Sequence, residues 1–553
     1  MRPHGRTTFL LFVFFQALYA LTSSGNAFRV PDEFEPYFQT EHLVDAGDLS
    51  VPQTLAIRQP SIVNGRVVGS APIFYGKFGV DHKPYAPYGP FVAFLALPHH
   101  LLARAVAWIA RVPRAPLPGG IPWVFLVGGL TTLFTATGAA LAVAGFHRAA
   151  IALDAPPRTA LALSLLLGGA TVLWVYGVSF YCEGWQAAMF IWAAVLLIDA
   201  RGGSPRAPLY MTGAAVLLML AGLTKVTGMV FTPPFVLAVL AERSVPPRVR
   251  LRAAVALAAG IAAAVAIHLT WNTYRFGLPL DFGYDASETV PHMPPQLFRL
   301  ADIPRGLVMS LVTPGKGLLV WAPALLLAAA SAREFWRRQP AVALGIVATL
   351  ITGLLFFAAY LFPEAGYSHG PRTLVPIVPL LLLPAIARPI EQRSRAALAA
   401  CAIVGFTIAL LATSVSFLED QGIGEDLGGG AALAYYERID PPPGRAWNRY
   451  RLEYVPFVRT LRSGLWPAGD AVGHGLDYFP HHLARARREI PGGQAIPVWL
   501  IWAMPLFWTG MLIAAAAALA RLKKSSASMK GPLKSRHTSS EGAPPTFAST
   551  PGA

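Results

Sequence analysis

The feature that most constrains this chain is the recurrence of apolar runs long enough to cross a bilayer, which takes about 20 residues at ~1.5 Å of rise each. Such runs lie near 8–24, 121–146, 158–179, 185–200, 207–224, 226–241, 250–271, 314–332, 340–362, 373–388, 396–417 and 496–520. Because hydrocarbon offers no partner to backbone N–H and C=O groups, runs like these fold as helices. The expected fold class is an all-α polytopic membrane protein with about 12 transmembrane helices.

Composition agrees. Of 553 residues, 54% are hydrophobic and only 13% charged, against about 25% charged in a soluble domain. The formal charge of +16 is not gathered in one basic domain. It recurs as short Lys/Arg clusters between apolar runs, the pattern of cytoplasmic loops, and no nucleic-acid partner is expected. The only cysteines are Cys182 and Cys401. The topology below sets them at opposite membrane faces, beyond the ~5.5 Å between Cα atoms that a disulfide spans.

Parity fixes the side of each loop. A further apolar stretch, 91–112, is interrupted by Pro98, His99, His100 and Arg104. If it lies in the interface, the N-terminus with Arg2 and Arg6 shares one side with Arg148/Arg158, Arg201/Arg206, Arg243/Arg248/Arg250/Arg252, Arg333/Arg337/Arg338, Arg388/Arg393/Arg395 and the tail with Lys523/Lys524/Lys530/Lys534/Arg536. If it spans, every later cluster inverts. The positive-inside rule favours the interfacial, juxtamembrane helix, with both termini cytoplasmic. The first run also reads as a cleavable signal peptide, with an Arg-bearing start and small residues before Phe28; either way the next segment faces outward.

The organisation expected is a first transmembrane helix at 1–24, an outer loop at 25–120 that carries the juxtamembrane helix, and transmembrane helices 2–11 over 121–417 with an outer loop at 272–313. A second long outer loop at 418–495, a last span at 496–520 and a disordered basic cytoplasmic tail at 521–553 complete it. The nine arginines of 418–495 do not conflict with that placement, because loops beyond about 60 residues are largely exempt from the charge rule.

Chemistry-bearing residues recur on the outward side. Asp32, Glu33 and Glu35 follow the first run immediately, in FRVPDEFEPYFQTEHLVDAGDLS. Charge near hydrocarbon is costly, about 2.5–3.5 kcal/mol at a helix centre and less toward the interface, so its presence has a cause. For the acids alone, a solvated loop start or an N-cap suffices. The same parity, however, brings to that side Glu183 in FYCEGW, Lys225 in AGLTKVTG, Lys316 in TPGKGLLVWAP, and His369 with Arg372 in GYSHGPR. Singly, Glu183 reads as a cap on a helical hairpin, Lys225 as a snorkelling side chain and Arg372 as an interfacial anchor. Together they describe an outward cavity with carboxylates on one part and cations on another. That suits an acceptor hydroxyl that must lose a proton and an anionic group that must be held.

The order of these segments resembles that of the GT-C fold glycosyltransferases, the membrane enzymes that include protein O-mannosyltransferases and the bacterial lipid A aminoarabinose transferase. The resemblance is carried by PDEFEPYFQTEHLVDAG after the first span, DHKPYAPYGPFVAFLALPHHLLA leading into the juxtamembrane helix, WVYGVSFYCEGW, AGLTKVTGMVFTPPF, YRFGLPLDFGY, TPGKGLLVWAPALLL and GYSHGPRTLVPIVPLLLLP. It runs from residue 8 to about 390. The C-terminal part departs from it, with one outer segment and one last span in place of a substantial folded domain.

The resemblance implies transfer of a sugar from a polyprenyl-phosphate carrier to an acceptor hydroxyl on a glycan, lipid or protein, at the outer face of a bacterial inner membrane. It implies Asp32 as the general base, with Glu33 as its partner or substitute and Glu183 as a positioning acid. Lys225, Lys316 and Arg372, with Lys83 and His369 behind them, are the groups it implies for the donor phosphate. Inversion at the anomeric carbon is typical of that fold. No cofactor is expected. A divalent metal is not favoured, since no ligand spacing such as H-x-x-x-H accompanies Asp32, and His99–His100 and His481–His482 read as interfacial. Two other readings stay open: a lipid or sugar transporter or flippase, and a non-catalytic assembly subunit of GT-C-like fold.

Overall fold

The computed structural model describes residues 3–25, 31–56, 58–63, 66–72, 76–115, 121–201, 205–283, 298–360, 368–414, 478–489 and 492–528. Most of the expected loop 418–495, part of the loop 272–313 and the tail from 529 lie outside them.

Helix α1 (Pro3–Leu21) is followed by α2 (Pro31–Ala46), α3 (Phe91–Ile109), α4 (Ile121–Thr131), α5 (Leu133–Ala152), α6 (Pro157–Gly169), α7 (Glu183–Ala200), α8 (Ala207–Thr224), α9 (Pro233–Ala241) and α10 (Pro247–Phe276). Then come α11 (Ile303–Val312), α12 (Leu318–Trp321), α13 (Leu325–Ala329), α14 (Ala332–Arg338), α15 (Pro340–Ala359), α16 (Val378–Leu382), α17 (Arg395–Ser414), α18 (Phe479–Glu489) and α19 (Val498–Ser528). The chain is an all-α polytopic membrane protein: among the described residues, eight helices are long and apolar enough to cross a bilayer. Shorter apolar helices at Gly5–Leu21, Val226–Ala241 and Arg372–Ala387 join them.

Several expected spans are not single helices. The run 158–179 is helical only to Gly169 and then tightens into a 3-10 turn at Val175–Gly177. The run 314–332 divides at Pro323 into α12 and α13, because proline supplies no amide hydrogen and clashes with the preceding turn. The proline-rich run after Arg372 likewise alternates 3-10 and α geometry. Backbone breaks of this kind at membrane depth are tolerated where neighbouring helices cover them, and here Trp174, Tyr176 and Trp321, each at most 1% exposed, do the covering.

The stretch expected to lie in the interface, α3, is apolar enough to span by length. It packs on α2 and α4, and Arg104 from its fourth turn bonds Asp45 of α2 at 2.6 Å. Between α2 and α3 the chain forms two small antiparallel hairpins that the hydropathy pattern does not predict. They pair Arg58–Val63 with Arg66–Pro72, and Lys77–Phe78 with Pro84–Tyr85.

The bundle core is built by α1, α5, α7 and α8 packed side by side. Small residues let these helices approach: a Cβ at Gly138 would meet Trp185 at 2.7 Å, and one at Gly145 would meet Ile191 at 2.6 Å. Such close approach is the usual means of helix association where lipid is as apolar as leucine. Both cysteines are free thiols.

Candidate active site

Antiparallel packing of α7 on α8 puts the start of one beside the end of the other. Glu183 opens α7, where the helix dipole favours a carboxylate. Lys225 terminates α8 in an extended conformation, at φ −154° and ψ 130°. The result is a hydrogen-bonded ion pair, Lys225 Nζ to Glu183 Oε1 at 2.9 Å. One turn along α7, Gln186 Nε2 donates to the Ala221 and Lys225 carbonyls at 3.0 and 3.2 Å, which fixes the turn that carries the lysine.

Arg372 completes the cluster from the far part of the chain. Its Nε donates to Glu183 Oε1 at 2.8 Å and its Nη2 to Asp32 Oδ1 at 3.0 Å. The guanidinium also lies 4.1 Å from the centroid of the Tyr181 ring, within cation–π range. Arg372 is held by the turn at 368–372, in which Gly370 adopts φ +61° and a Cβ would meet the Trp321 ring at 2.8 Å.

Access differs sharply between the two acids. The Glu183 side chain is 2% exposed and the Asp32 side chain 23%. Asp32 stands in the first turn of α2, whose first-turn acids suit its dipole. Burial alone would raise the Asp32 carboxyl. Arg372, and then Lys225, outweigh burial and hold it below the ordinary carboxylate range. Glu33, beside it, is buried and close enough to Tyr181 for its charge to act on that phenol.

The remaining sequence candidates divide. His369 and Lys316 belong to the wall behind Arg372. The His369 carbonyl accepts from Tyr176 Oη at 2.8 Å, and its ring lies 5.9 Å from that of Trp321. Lys316 Nζ donates to the Ser368 carbonyl, with Ser368 Oγ at 3.4 Å. Lys83 is directed elsewhere: its Nζ donates to Asp48 Oδ2 at 2.8 Å and its side chain is about half exposed. Among the described residues, no group of three or more His, Cys, Asp or Glu side chains is gathered as a metal-binding set.

Residues that hydropathy and charge did not single out also build the site. Tyr181 and Gln186 flank Glu183 in sequence, but an aromatic or amide within an apolar run gives no signal of its own. Arg275, 1% exposed at the end of α10, donates to the Ala86 carbonyl and, at 2.9 Å, to Asn272 Oδ1. It fastens the segment after the second hairpin against the end of α8, where a Cβ at Gly89 would meet the Leu223 carbonyl at 2.2 Å.

No family model and no curated protein matches the sequence. Among solved structures, the fold is similar to ArnT from Cupriavidus metallidurans bound to undecaprenyl phosphate, with a TM-score of 0.45 at 14% identity over 94% of this chain and 78% of that one. It is also similar to the oligosaccharyltransferase AglB of Archaeoglobus fulgidus in complex with an inhibitory peptide and a dolichol-phosphate, with a TM-score of 0.41 at 11% identity over 89% of this chain and 58% of that one. These are likenesses and assign no activity. What the cluster can do is set by its own residues: an accessible carboxylate, a buried carboxylate, and two cations shared between them.

Proposed function

We propose that the protein is a glycosyltransferase that moves a sugar from a polyprenyl-phosphate donor to an acceptor hydroxyl at the outer face of the membrane. The observation that carries this reading is Arg372 bridging Asp32 and Glu183 while Lys225 shares Glu183.

Glu183 serves as the anchor for both cations, and Asp32 as the base. In the resting cluster Asp32 is a weak base because Arg372 neutralises it. An arriving donor phosphate competes for Arg372 and Lys225, for charge-assisted bonds about twice as strong as neutral ones. Drawing Arg372 toward the phosphate releases Asp32, whose basicity rises as its counter-charge leaves. The acceptor oxygen then attacks the anomeric carbon, its proton passes to Asp32, and the carbon–oxygen bond to the carrier breaks. The electron pair stays on the polyprenyl phosphate, where Lys225 and Arg372 balance it. Attack opposite the leaving phosphate inverts the anomeric centre. The buried Glu183 then keeps both cations in place for the next donor.

A transporter or flippase also tolerates buried ion pairs. It does not need a partly exposed carboxylate tied to the same arginine as a buried one, and transfer is the reading this asymmetry favours. Replacement of Asp32 by Asn tests it: lost glycan transfer from a lipid-phosphate donor with normal membrane insertion supports the base, and retained transfer removes it.

A further inference from the structure

We propose that the protein binds one anionic phospholipid in an apolar pocket at the end of α7 remote from Glu183, with its head group on Arg250. The proposal is independent of the glycosyl-transfer reading. Helix α7 has 18 residues, about 27 Å at the helical rise, and Glu183 begins it. The pocket is lined by its last turns, by the first turns of α8 and α10, and by α9 and the first half of α15. On α15 alone the lining runs from Val342 to Thr349, about 10 Å of depth.

The shaft is apolar, with Leu197, Phe235, Ala238 and Ile346 among its walls, and its mouth carries Arg201, Glu242 and Arg250. The mouth is not balanced. Glu242 gives one oxygen to Arg201 at 2.9 Å and the other to Ser244 Oγ at 2.7 Å. Arg201 is further satisfied by Gln339 Oε1 at 3.1 Å. That leaves Arg250, which donates to the Leu240 carbonyl at 2.8 Å and pairs with no carboxylate among the described residues. Its Nε is buried without a hydrogen-bond partner, and an unpaired buried donor is costly until a ligand meets it. Arg243, Arg248 and Arg252, close to it in sequence, are exposed. Arg248, Arg250 and Arg252 also occupy the first turns of α10, where the helix dipole adds to the attraction for an anion.

An apolar shaft beneath an uncompensated guanidinium selects an amphiphile that is anionic at one end, and in a bilayer that is an acidic phospholipid. A zwitterionic head group brings a cation to the same arginines and is disfavoured.

The test uses the full-length protein in detergent, exchanged into phosphatidylglycerol or phosphatidylcholine of identical chains, with bound lipid read by native mass spectrometry. One phosphatidylglycerol is expected to persist per chain and to raise the melting temperature, with phosphatidylcholine doing neither. Ala238→Phe, which fills the shaft, is expected to abolish the adduct. Arg250→Gln, which leaves the shaft open, is expected to weaken it about fivefold, the scale of one basic residue at an anionic surface. Asp32→Asn is expected to retain it. Equal retention of both lipids by the native chain, or an undiminished phosphatidylglycerol adduct on Arg250→Gln, overturns the proposal even if Ala238→Phe fails to fold.

Discussion

Arg372 and Glu183, 189 residues apart in sequence, meet at 2.8 Å with both side chains almost fully buried. The contact ties the α7–α8 hairpin to the turn that follows α15, so stability and chemistry share one ion pair. Removing Arg372 leaves the buried Glu183 with Lys225 alone, so the cost should stay below the roughly 3–5 kcal/mol of a fully stranded buried charge. Arg372→Met is therefore expected to lower the melting temperature markedly and to abolish transfer, measured by thermal unfolding and by a glycan-transfer assay on the same preparation. Arg372→Lys keeps the charge but not the two-pronged reach to Asp32 and Glu183. It is expected to recover part of the stability and little of the activity.

Asp32→Asn separates chemistry from folding. The carboxylate is partly exposed, and its amide can still accept from Arg372, so expression and melting should change little. Transfer should fall by about 10²–10⁴, the usual contribution of a positioned general base.

The pH profile carries a second signature of the same residue. In the free enzyme Arg372 and Lys225 hold Asp32 below the ordinary carboxylate range, so the acid limb of kcat/KM should lie below about pH 3.9. Once the donor phosphate draws Arg372 away, the carboxyl loses that support. Because kcat reports the substrate complex, its acid limb should lie at higher pH than that of kcat/KM. Superimposed limbs would mean that Arg372 does not change partners.

Lys83 makes a contrasting prediction. With Lys83 and Ser50 as donors, Asp48 is lowered to about 2 in spite of partial burial. A carboxylate depressed on folding contributes stability that is present above its unfolded value, about 3.9, and is lost as pH falls through its folded one. Lys83→Met should therefore lower the melting temperature at pH 6 only slightly, as for other exposed pairs. The difference in melting temperature from the native chain should shrink between about pH 4 and pH 2, and transfer should survive.

Tyr181 contributes through its ring. A guanidinium held over an aromatic face is worth about 0.5–2 kcal/mol, depending on desolvation. Tyr181→Ala should lose stability on that scale, measured by thermal unfolding.

Much of this arrangement was legible in the sequence because it is set by long-period signals. Apolar runs counted against the positive-inside rule put Asp32, Glu183, Lys225 and Arg372 on one side, and the ion pairs join those four. What the sequence concealed is local. Nothing in LVWAPALLL marks the break at Pro323 as different from a kink, and the hairpins between α2 and α3 have no strict alternation to announce them. Lys83 has the same charge and the same side as Lys225, and only the fold assigns it to Asp48. Arg275 was invisible for a related reason: a buried arginine bonded to a backbone carbonyl and an asparagine amide leaves no complementary acid to find.

The most direct test of the central claim is a structure of the full chain with a bound polyprenyl phosphate. Phosphate oxygens are expected within hydrogen-bonding distance of Lys225 Nζ and Arg372 Nη, about 2.7–2.9 Å, with Asp32 released from the arginine. A phosphate seated away from both cations, with the Arg372–Asp32 bond intact, would contradict it.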